Sequence, residues 1–251
     1  MNTISKLASI LLTLPKHKLD QMKDLLGEQY IFFDFPLLEL IPLDPLPAFP
    51  RKPYDLIILS SSFAAELCFQ HYCKELRPDQ AFATVGPSVS EVVHKNGFKV
   101  LYQPKSNFSV EGLMPDLQLR NHEKIEENKF LLIGTQDTAL LKYSGALQTE
   151  GIKLDHLTIY NTQEIPNPDW HEWESFRKSD PKLKCICLTS PRAIRYFVAL
   201  FKQKDLPQDF RFICLGDQSA NLLKGEYDQV HQAAGNSYQS LAESIRGLSE
   251  V

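Results

Sequence analysis

The chain has 251 residues, of which 43% are hydrophobic and 23% charged, and its formal net charge is −4. That length suffices for two small domains, each with its own core. The negative charge and the absence of any lysine–arginine run argue against a nucleic-acid binder, and no apolar stretch approaches the length of a membrane span.

The first apolar run and the cysteines bear on the cellular compartment. Residues Leu7–Leu14 follow Lys6 and weakly resemble a signal peptide, but no small-residue cleavage site follows. We interpret the run as a first β-strand and expect a soluble, cytoplasmic protein. The five cysteines, an odd number without a CxxC pair, are expected to be buried, reduced thiols.

Nine short apolar runs and a weaker tenth alternate with amphipathic stretches along the chain. Most are continuously apolar, which is typical of strands buried on both faces of a parallel sheet. The predicted strands are Ile10–Leu14, Tyr30–Phe35, Leu56–Leu59, Ala81–Val85, Lys99–Tyr102, Phe130–Ile133, His156–Tyr160, Cys185–Leu188, Phe212–Leu215 and, as the weaker tenth, Tyr227–His231.

Helical patterns separate these strands, and a glycine follows several of them. A glycine at that point favours the left-handed residue that closes a last helical turn. Strand and helix in repeated alternation predict an α/β fold with right-handed crossovers. The glycines expected to end helices are Gly27, Gly97, Gly151, Gly225 and Gly247.

The chain also contains a loose internal repeat. Few positions are identical, but the similar pairs keep their order, which predicts two copies of one α/β unit. Each copy is expected to be a parallel sheet flanked by helices, with a flavodoxin-like arrangement. The similar pairs are 55–65 with 184–194, 82–93 with 212–223, 109–113 with 237–241, and the runs near residues 10 and 130.

Proline-rich segments indicate where the chain crosses between the two domains. Six prolines lie between Pro36 and Pro53, and Pro166 and Pro168 mark a second such segment. Proline disfavours both helices and central strands, so these segments suit connections. Two crossings predict a discontinuous domain of residues 1–36 and 166–251, with residues 37–165 as an inserted domain.

No familiar catalytic signature is present. The sequence lacks HExxH, GxSxG, a P-loop and GxGxxG. The seven histidines are scattered without metal-ligand spacing. We therefore expect neither a metal nor any other cofactor.

Four predicted strand ends lead instead into turns rich in hydroxyl groups or glycine. Such turns lie at the carboxyl ends of parallel strands, where α/β proteins bind ligands, and the helix starts offer N–H groups that suit carboxylates. Helix capping explains each turn taken alone, and Asp217 is interpreted as an N-cap. Together the turns predict a cleft between the domains for a polyanion. The candidate binding residues are Ser60, Ser61, Ser62, Gly86, Pro87, Ser88, Thr189, Ser190, Pro191, Gly216, Asp217, Gln218 and Ser219.

The same turns carry a resemblance to the uroporphyrinogen-III synthase family, which covers nearly the whole chain in the right order. Each motif is loose, and the ordered set is specific. The matching segments are Asp55-Leu56-Ile57-Ile58-Leu59-Ser60-Ser61, Val85-Gly86-Pro87-Ser88-Val89-Ser90, Ser109-Val110-Glu111-Gly112-Leu113, Gly134 through Gly151 to Ile159-Tyr160, Leu188-Thr189-Ser190-Pro191, and Leu215-Gly216-Asp217-Gln218-Ser219-Ala220.

The resemblance implies a cytoplasmic, monomeric, cofactor-free lyase that closes hydroxymethylbilane, a linear tetrapyrrole, into a macrocycle with the last ring inverted. A transient contact with the enzyme that supplies hydroxymethylbilane is compatible with it. Tyr160 matches a family tyrosine near the second crossing and is the candidate proton donor, with interfacial packing as the alternative role. The cleft is expected to open and close.

Several positions depart from the family pattern. Leu14 and Ile133 stand where the family often carries arginine, and Val89 and Ser219 stand where it carries threonine. These departures motivate one alternative, an inactive relative that binds a tetrapyrrole or another small polyanion. A two-domain ligand binder of the periplasmic type is a second alternative, and a nucleic-acid binder a third.

Overall fold

The computed structural model describes residues 7–105, 108–122, 129–136, 153–180, 183–202, 210–235 and 237–249. Within these ranges the strands are β1 (Ala8–Leu12), β2 (Tyr30–Asp34), β3 (Leu38–Pro42), β4 (Leu56–Leu59), β5 (Ala81–Thr84), β6 (Lys99–Tyr102), β7 (Lys129–Thr135), β8 (Lys153–Glu164), β9 (Leu183–Leu188), β10 (Phe210–Cys214) and β11 (Val230–Gln232). The α-helices are α1 (Lys16–Leu26), α2 (Ser62–Tyr72), α3 (Pro87–Lys95), α4 (Val110–His122), α5 (Trp170–Lys178), α6 (Pro191–Phe201), α7 (Asp217–Lys224) and α8 (Tyr238–Ser249). In this described part of the chain, no helix has both the length and the hydropathy to cross a bilayer.

The chain divides into two compact units. Unit 1 comprises Met1–Glu39 and Gln163–Val251, and unit 2 comprises Leu40–Thr162. The sequence predicted the corresponding divisions after residues 36 and 165. Unit 2 is thus a continuous segment inserted between the two parts of unit 1.

Unit 1 contains a five-stranded parallel sheet. Its strand order is β11-β10-β9-β1-β2, and all four neighbouring pairs are parallel. Numbered along the chain within the unit and read from β2, the order is 2-1-3-4-5, the flavodoxin-like arrangement. The strand order reverses between β1 and β9, which is where doubly wound sheets bind ligands.

The sheet of unit 2 has the same spatial arrangement of strands, but the strands follow one another along the chain in a different order. The strand order is β3-β8-β7-β4-β5-β6, and β8-β7-β4-β5-β6 are paired in parallel. In position, β7 and β8 correspond to β1 and β2, and β4, β5 and β6 correspond to β9, β10 and β11. The two sheets are circular permutations of each other, with β3 added at an edge, and this arrangement confirms the repeat seen in the sequence.

Both faces of the unit 1 sheet are buried, as the continuously apolar runs predicted. Leu11 and Ile186 point into one core, which is rich in aromatic side chains. Ile10 and Cys185, their neighbours along the same strands, point into the other, mainly aliphatic core. Side chains alternate between the faces of a strand, so a strand covered by helices on both sides is apolar at nearly every position; the exception in β1 is the buried Ser9.

All ten predicted strands overlap an observed strand, and among the strands of the described residues β3 is the one that was missed. Its segment ends at Pro42 and precedes further prolines, so it was interpreted as a connection. Proline is tolerated here because β3 lies at the edge of its sheet, where a backbone N–H is not required on both sides.

The glycine predictions had mixed outcomes. Gly27 and Gly97 follow their helices with positive φ, whereas Gly225 has φ −73° and Gly247 lies inside α8. The helix continues through Gly247 because Ile245 on its inner face is fully buried, which offsets the cost of about 1 kcal/mol for a helical glycine. Gly151 lies outside the described residues.

Candidate functional site

The turn after β4 carries three serines, two of which have fixed partners. The Ser60 hydroxyl donates to the carbonyl oxygen of Ile133 on β7 at 3.0 Å. Ser61 is the N-cap of α2, since its Oγ accepts from the Ala64 N–H at 3.0 Å. Ser62 is the first residue of the helix and is partly exposed. The helix cap is therefore the middle serine.

Tyr160 of β8 reaches the same turn. Its phenolic oxygen lies 3.0 Å from Ser61 Oγ. Its ring packs edge-on against Phe63, with centroids 5.0 Å apart, and the residue is 5% exposed. Tyr160 is thus a packed core residue whose polar atom is held at the N-terminus of α2.

The turn after β5 is shaped by close packing. Gly86 precedes α3, which begins at Pro87. A Cβ added to Gly86 would lie 3.3 Å from the Cβ of Phe108, tighter than ordinary contact, so the missing side chain permits this approach. Pro87 and Ser88 are exposed and accessible to a ligand.

Three polar residues behind this turn were not among the sequence candidates. Ser90 donates to Gln103 Oε1 at 2.6 Å, and the Thr84 hydroxyl lies 2.6 Å from Ser90 Oγ. Thr84 is fully buried and Ser90 is 6% exposed. The hydrogen bonds tie the end of β5 to α3. In the sequence, the one available signal was two hydroxyl residues six positions apart, a spacing too common to be informative.

The turn after β9 in unit 1 repeats the geometry of the turn after β4. Ser190 is the N-cap of α6, and its Oγ accepts from the Ala193 N–H at 3.2 Å. Pro191 occupies the first helical position, which suits its fixed φ. Thr189 and Pro191 are partly exposed.

Thr13, which follows β1, joins the two strands at which the unit 1 sheet reverses its order. Its Oγ1 donates to the carbonyl oxygen of Cys187 on β9 at 2.5 Å, and the residue is 2% exposed. In unit 2, Ser60 joins the corresponding pair of strands in the opposite direction, from the end of β4 to β7. The sequence analysis missed Thr13 because nothing local shows that β1 and β9 are neighbours.

The turn after β10 corrects one interpretation. Gly216, with φ +72°, is the N-cap of α7, and Asp217 is the first helical residue rather than the cap. The Asp217 carboxylate instead accepts from Gln232 Nε2 at 2.7 Å. Gln218 is exposed, whereas Ser219 is only 2% exposed, so its hydroxyl lies inside the fold.

Within each unit, the candidate turns lie side by side. Leu59 is in register with Thr84, and Leu188 with Cys214. The carboxyl ends of neighbouring parallel strands meet at one edge of a sheet, so each unit brings two of its turns to one edge. Helix N-termini and hydroxyl groups at such an edge can bind carboxylates.

The positions at which the resemblance implies arginine are occupied by core residues. Leu14 and Ile133 are both fully buried. Leu14 packs into the aliphatic core of unit 1, and Ile133 into the core of unit 2. Neither position offers a cation to an anionic ligand.

Unit 1 also contains a cavity of about 730 Å³ at the end of β2. The four carboxyl groups and one lysine of its lining give a net formal charge of −3, which disfavours a polyanion. The Asp34 N–H faces Glu172 Oε2 at 3.3 Å, and Lys23 pairs with Asp34 at 2.6 Å. The charged lining residues are Lys16, Asp34, Glu39, Asp169 and Glu172.

Fold and turns together define a doubly wound α/β protein of two like units with hydroxyl-bearing turns at the carboxyl-terminal edges of both sheets. The sequence profile of uroporphyrinogen-III synthase HemD matches residues 21–243, most of the chain. The protein therefore belongs to the uroporphyrinogen-III synthase family, a family of lyases in haem biosynthesis.

Solved structures with the same fold are distant in sequence. A mutant uroporphyrinogen III synthase from Thermus thermophilus is 13% identical, with 97% of this chain and 99% of that chain covered and a TM-score of 0.56. Uroporphyrinogen-III synthetase from Helicobacter pylori is also 13% identical, with 96% and 99% covered and a TM-score of 0.52. A search of curated proteins finds no significant match.

Proposed function

We propose that this protein is an active uroporphyrinogen-III synthase that cyclises hydroxymethylbilane with inversion of the last pyrrole ring. Family membership supports the reaction class. The observation that carries the proposal is the paired turn at Ser61 and Ser190. In both units a serine caps the helix beside the point where the strand order reverses, and the repeated position favours one shared task.

We propose that these turns bind the acetate and propionate groups of the substrate. Backbone N–H groups at helix starts and nearby hydroxyls hold carboxylates without needing a buried cation. We also propose that the units divide near residues 36 and 165, and that the turns of each unit contribute to carboxylate binding. The residues assigned to binding are Ser60, Ser61, Ser62, Gly86, Pro87, Ser88, Thr189, Ser190, Pro191, Gly216, Asp217 and Gln218, while Ser219, whose hydroxyl is buried, belongs to the same turn and supports it.

In this reaction the main task of the protein is to control the conformation of the substrate. Loss of the substrate hydroxyl gives an electrophilic azafulvene, which reacts with the substituted carbon of the last ring to form a spiro intermediate. That intermediate fragments and recloses with the ring reversed. Unguided closure of the same precursor gives the type I isomer, so the protein must hold one carbon, rather than its neighbour, against the electrophile.

Tyr160 is the proposed proton donor. Its phenol protonates the departing hydroxyl, which leaves as water, and the proton released when the last ring regains aromaticity restores the phenol. The hydrogen bond at 3.0 Å to Ser61 supports this role, because it holds the phenolic oxygen at a proposed binding turn. A positioned acid of this kind contributes a factor of about 10² to 10⁴ in rate.

The remaining parts of the proposal concern localisation, oligomeric state and cofactor requirement. We propose a cytoplasmic monomer that needs no cofactor, with the linear tetrapyrrole as its ligand. Sedimentation at micromolar concentration tests the oligomeric state. Activity after exhaustive dialysis against a chelator tests the requirement for a metal.

The isomer ratio tests the proposed activity. Hydroxymethylbilane is generated in the same vessel by the enzyme that makes it, and the products are oxidised to porphyrins and separated by chromatography. We expect the type III isomer to dominate with this protein and the type I isomer to dominate without it. Type I product alone at high protein concentration would refute the activity.

A second candidate function is tetrapyrrole binding without turnover. The observation that favours it is that Leu14 and Ile133 are buried apolar residues at the two positions where the family often has arginine, so the cations expected there are missing. A binder of this kind would quench its tryptophan fluorescence when titrated with uroporphyrin, and the coupled assay would still yield only the type I isomer. An active synthase would show both binding and type III product.

A further inference from the structure

A directed chain of hydrogen bonds lies at the carboxyl-terminal end of the unit 2 sheet. Ser90 Oγ donates to Gln103 Oε1 at 2.6 Å, and the Thr84 hydroxyl lies 2.6 Å from Ser90 Oγ. A hydroxyl group has one hydrogen to donate, and Ser90 gives its hydrogen to Gln103. Thr84 must therefore donate to Ser90, so the chain runs from Thr84 through Ser90 to Gln103.

The two ends of this chain differ in their exposure. Thr84 is fully buried and Ser90 is 6% exposed, whereas Gln103 is exposed. A glutamine side chain in solvent ordinarily samples many rotamers, and ordering it costs conformational entropy. Here a buried hydroxyl group holds the amide in place before any ligand arrives.

The bond from Ser90 also decides which end of the Gln103 amide remains for a ligand. Oε1 accepts from Ser90, and the two N–H donors of Nε2 take no part in the chain. Oε1 and Nε2 share one carbon, so these donors lie close to Ser90 at the beginning of α3. The structure thus presents a preorganised pair of N–H donors.

Gln103 lies at the edge of the sheet that carries the proposed binding turns. Tyr102, the last residue of β6, is in register with Ala83 near the end of β5, so the carboxyl ends of both strands lie together. Ser88, in the turn after β5, is exposed, and its backbone N–H lies at a helix start, where an intrahelical partner is lacking. Ser90 joins the amide of Gln103 to that same helix.

The type of donor selects the ligand. The exposed charged residues nearest in the sequence are of both signs, so formal charge does not decide the question; they are Glu91, Lys105 and Glu111. Amide and backbone N–H groups form their stronger hydrogen bonds with ionised acceptors such as carboxylates. We propose that Gln103 binds an acetate or propionate group of the tetrapyrrole and that Ser90 is its positioning residue. This inference rests on the function proposed above.

Kinetics in the coupled assay test the contact. Gln103→Glu keeps the size of the side chain and an acceptor for Ser90, but it exchanges the N–H donors for a carboxylate oxygen. Its KM for type III formation should rise at least about tenfold, as expected for a lost hydrogen bond to a charged group. Its kcat should change by less than about twofold, because a contact with a remote carboxylate is equally present before and during the reaction.

A matched control and two contrary outcomes complete this experiment. Gln70→Glu adds the same charge at an exposed position of α2 and should keep both kinetic constants. An unchanged KM in Gln103→Glu would overturn the inference and leave the proposed function intact. Failure of the wild type to form the type III isomer would instead refute the proposed function.

The positioning role of Ser90 has a test of its own. Ser90→Ala removes the bond to Gln103 and should raise KM about threefold or more in the wild-type background, with less than about half of that factor in the Gln103→Glu background. A role in stability alone would give the same factor in both backgrounds. That additive result would overturn the assignment of Ser90.

A binding measurement does not depend on turnover. The side-chain amide signals of Gln103 in the NMR spectrum of isotope-labelled protein are identified by their absence from Gln103→Glu. They should shift when uroporphyrin, which carries acetate and propionate groups, is added, and those of Gln70 should not. A shift in a protein that forms no type III product would support the contact in an inactive binder. Unshifted Gln103 signals would overturn it.

Discussion

Ser61 Oγ and the Tyr160 phenolic oxygen lie 3.0 Å apart, although the residues are 99 positions apart in the chain. Ser61 caps the N-terminus of α2, while Tyr160 lies on β8 and packs against Phe63. One serine oxygen thus serves both the helix and the tyrosine. Stability and the proposed chemistry should therefore respond differently to substitutions at the two residues.

Replacing Ser61 with alanine should destabilise the protein. The variant loses the N-cap and leaves the Tyr160 hydroxyl without this partner, at a combined cost of about 1–3 kcal/mol. Urea unfolding followed by circular dichroism measures the change. Ser62→Ala, which removes the neighbouring hydroxyl without touching the cap, should change the free energy of unfolding by less than about 0.5 kcal/mol. Equal effects at both positions would contradict the capping geometry.

Replacing Tyr160 with phenylalanine should separate packing from chemistry. The ring contact with Phe63 is kept, so the free energy of unfolding should fall by no more than about 1.5 kcal/mol. The rate of type III formation should fall about 10²-fold or more if the phenol is the proton donor. Tyr72→Phe, which removes a hydroxyl bonded to the Pro47 carbonyl in the same unit, is the matched control and should keep its rate. An unchanged rate in the Tyr160 variant would exclude the proposed role.

Restoring the arginine of the family pattern at position 14 should unfold the protein rather than improve binding. Leu14 is fully buried among aliphatic side chains, and an unpaired guanidinium there should cost at least about 3 kcal/mol. Leu14→Met keeps the volume and should cost less than about 1.5 kcal/mol. Soluble yield and the urea midpoint measure both variants. A stable Leu14→Arg protein would show that the side chain can reach solvent from this position.

Of the five cysteines, one should react rapidly with a thiol reagent and the other four should not. Cys73 is exposed, whereas the other four are buried, so the expectation that all five are buried was wrong at this residue. Burial raises the pKa of Cys68 and Cys185 to about 12 and that of Cys214 to about 11, and it raises that of Cys187 as well. The thiolate is the reactive form. At pH 8 only Cys73 of the folded protein should therefore react, and a chromogenic disulfide reagent should release one equivalent of chromophore per chain.

Unfolding the protein in guanidinium provides the control for this count. All five thiols should then react, since none is in a disulfide. The Cys73→Ser variant should lose the rapid equivalent and keep the four that appear on unfolding. Two or more rapid equivalents in the folded wild type would show that a core strand opens easily.

Local sequence patterns were sufficient to predict most elements of the fold. Continuous apolar runs predicted ten strands because strands buried on both faces need apolar residues at every position. The edge strand β3 was missed because its prolines also suit a connection. Asp217 was misassigned as an N-cap because composition does not show which residue of Gly216-Asp217 leaves the helical conformation.

The sequence by itself determined the α/β class and the presence of two like units, and it placed serines at the starts of α2 and α6, because hydrophobic spacing and turn composition act over only a few residues. Only the tertiary structure decided that Tyr160 meets Ser61, that Thr13 bonds to Cys187, and that Lys129 stands beside Lys153. These pairs depend on which strands become neighbours. Strand order is set by the packing of the whole chain, in which residues more than twenty positions apart compete for the same places.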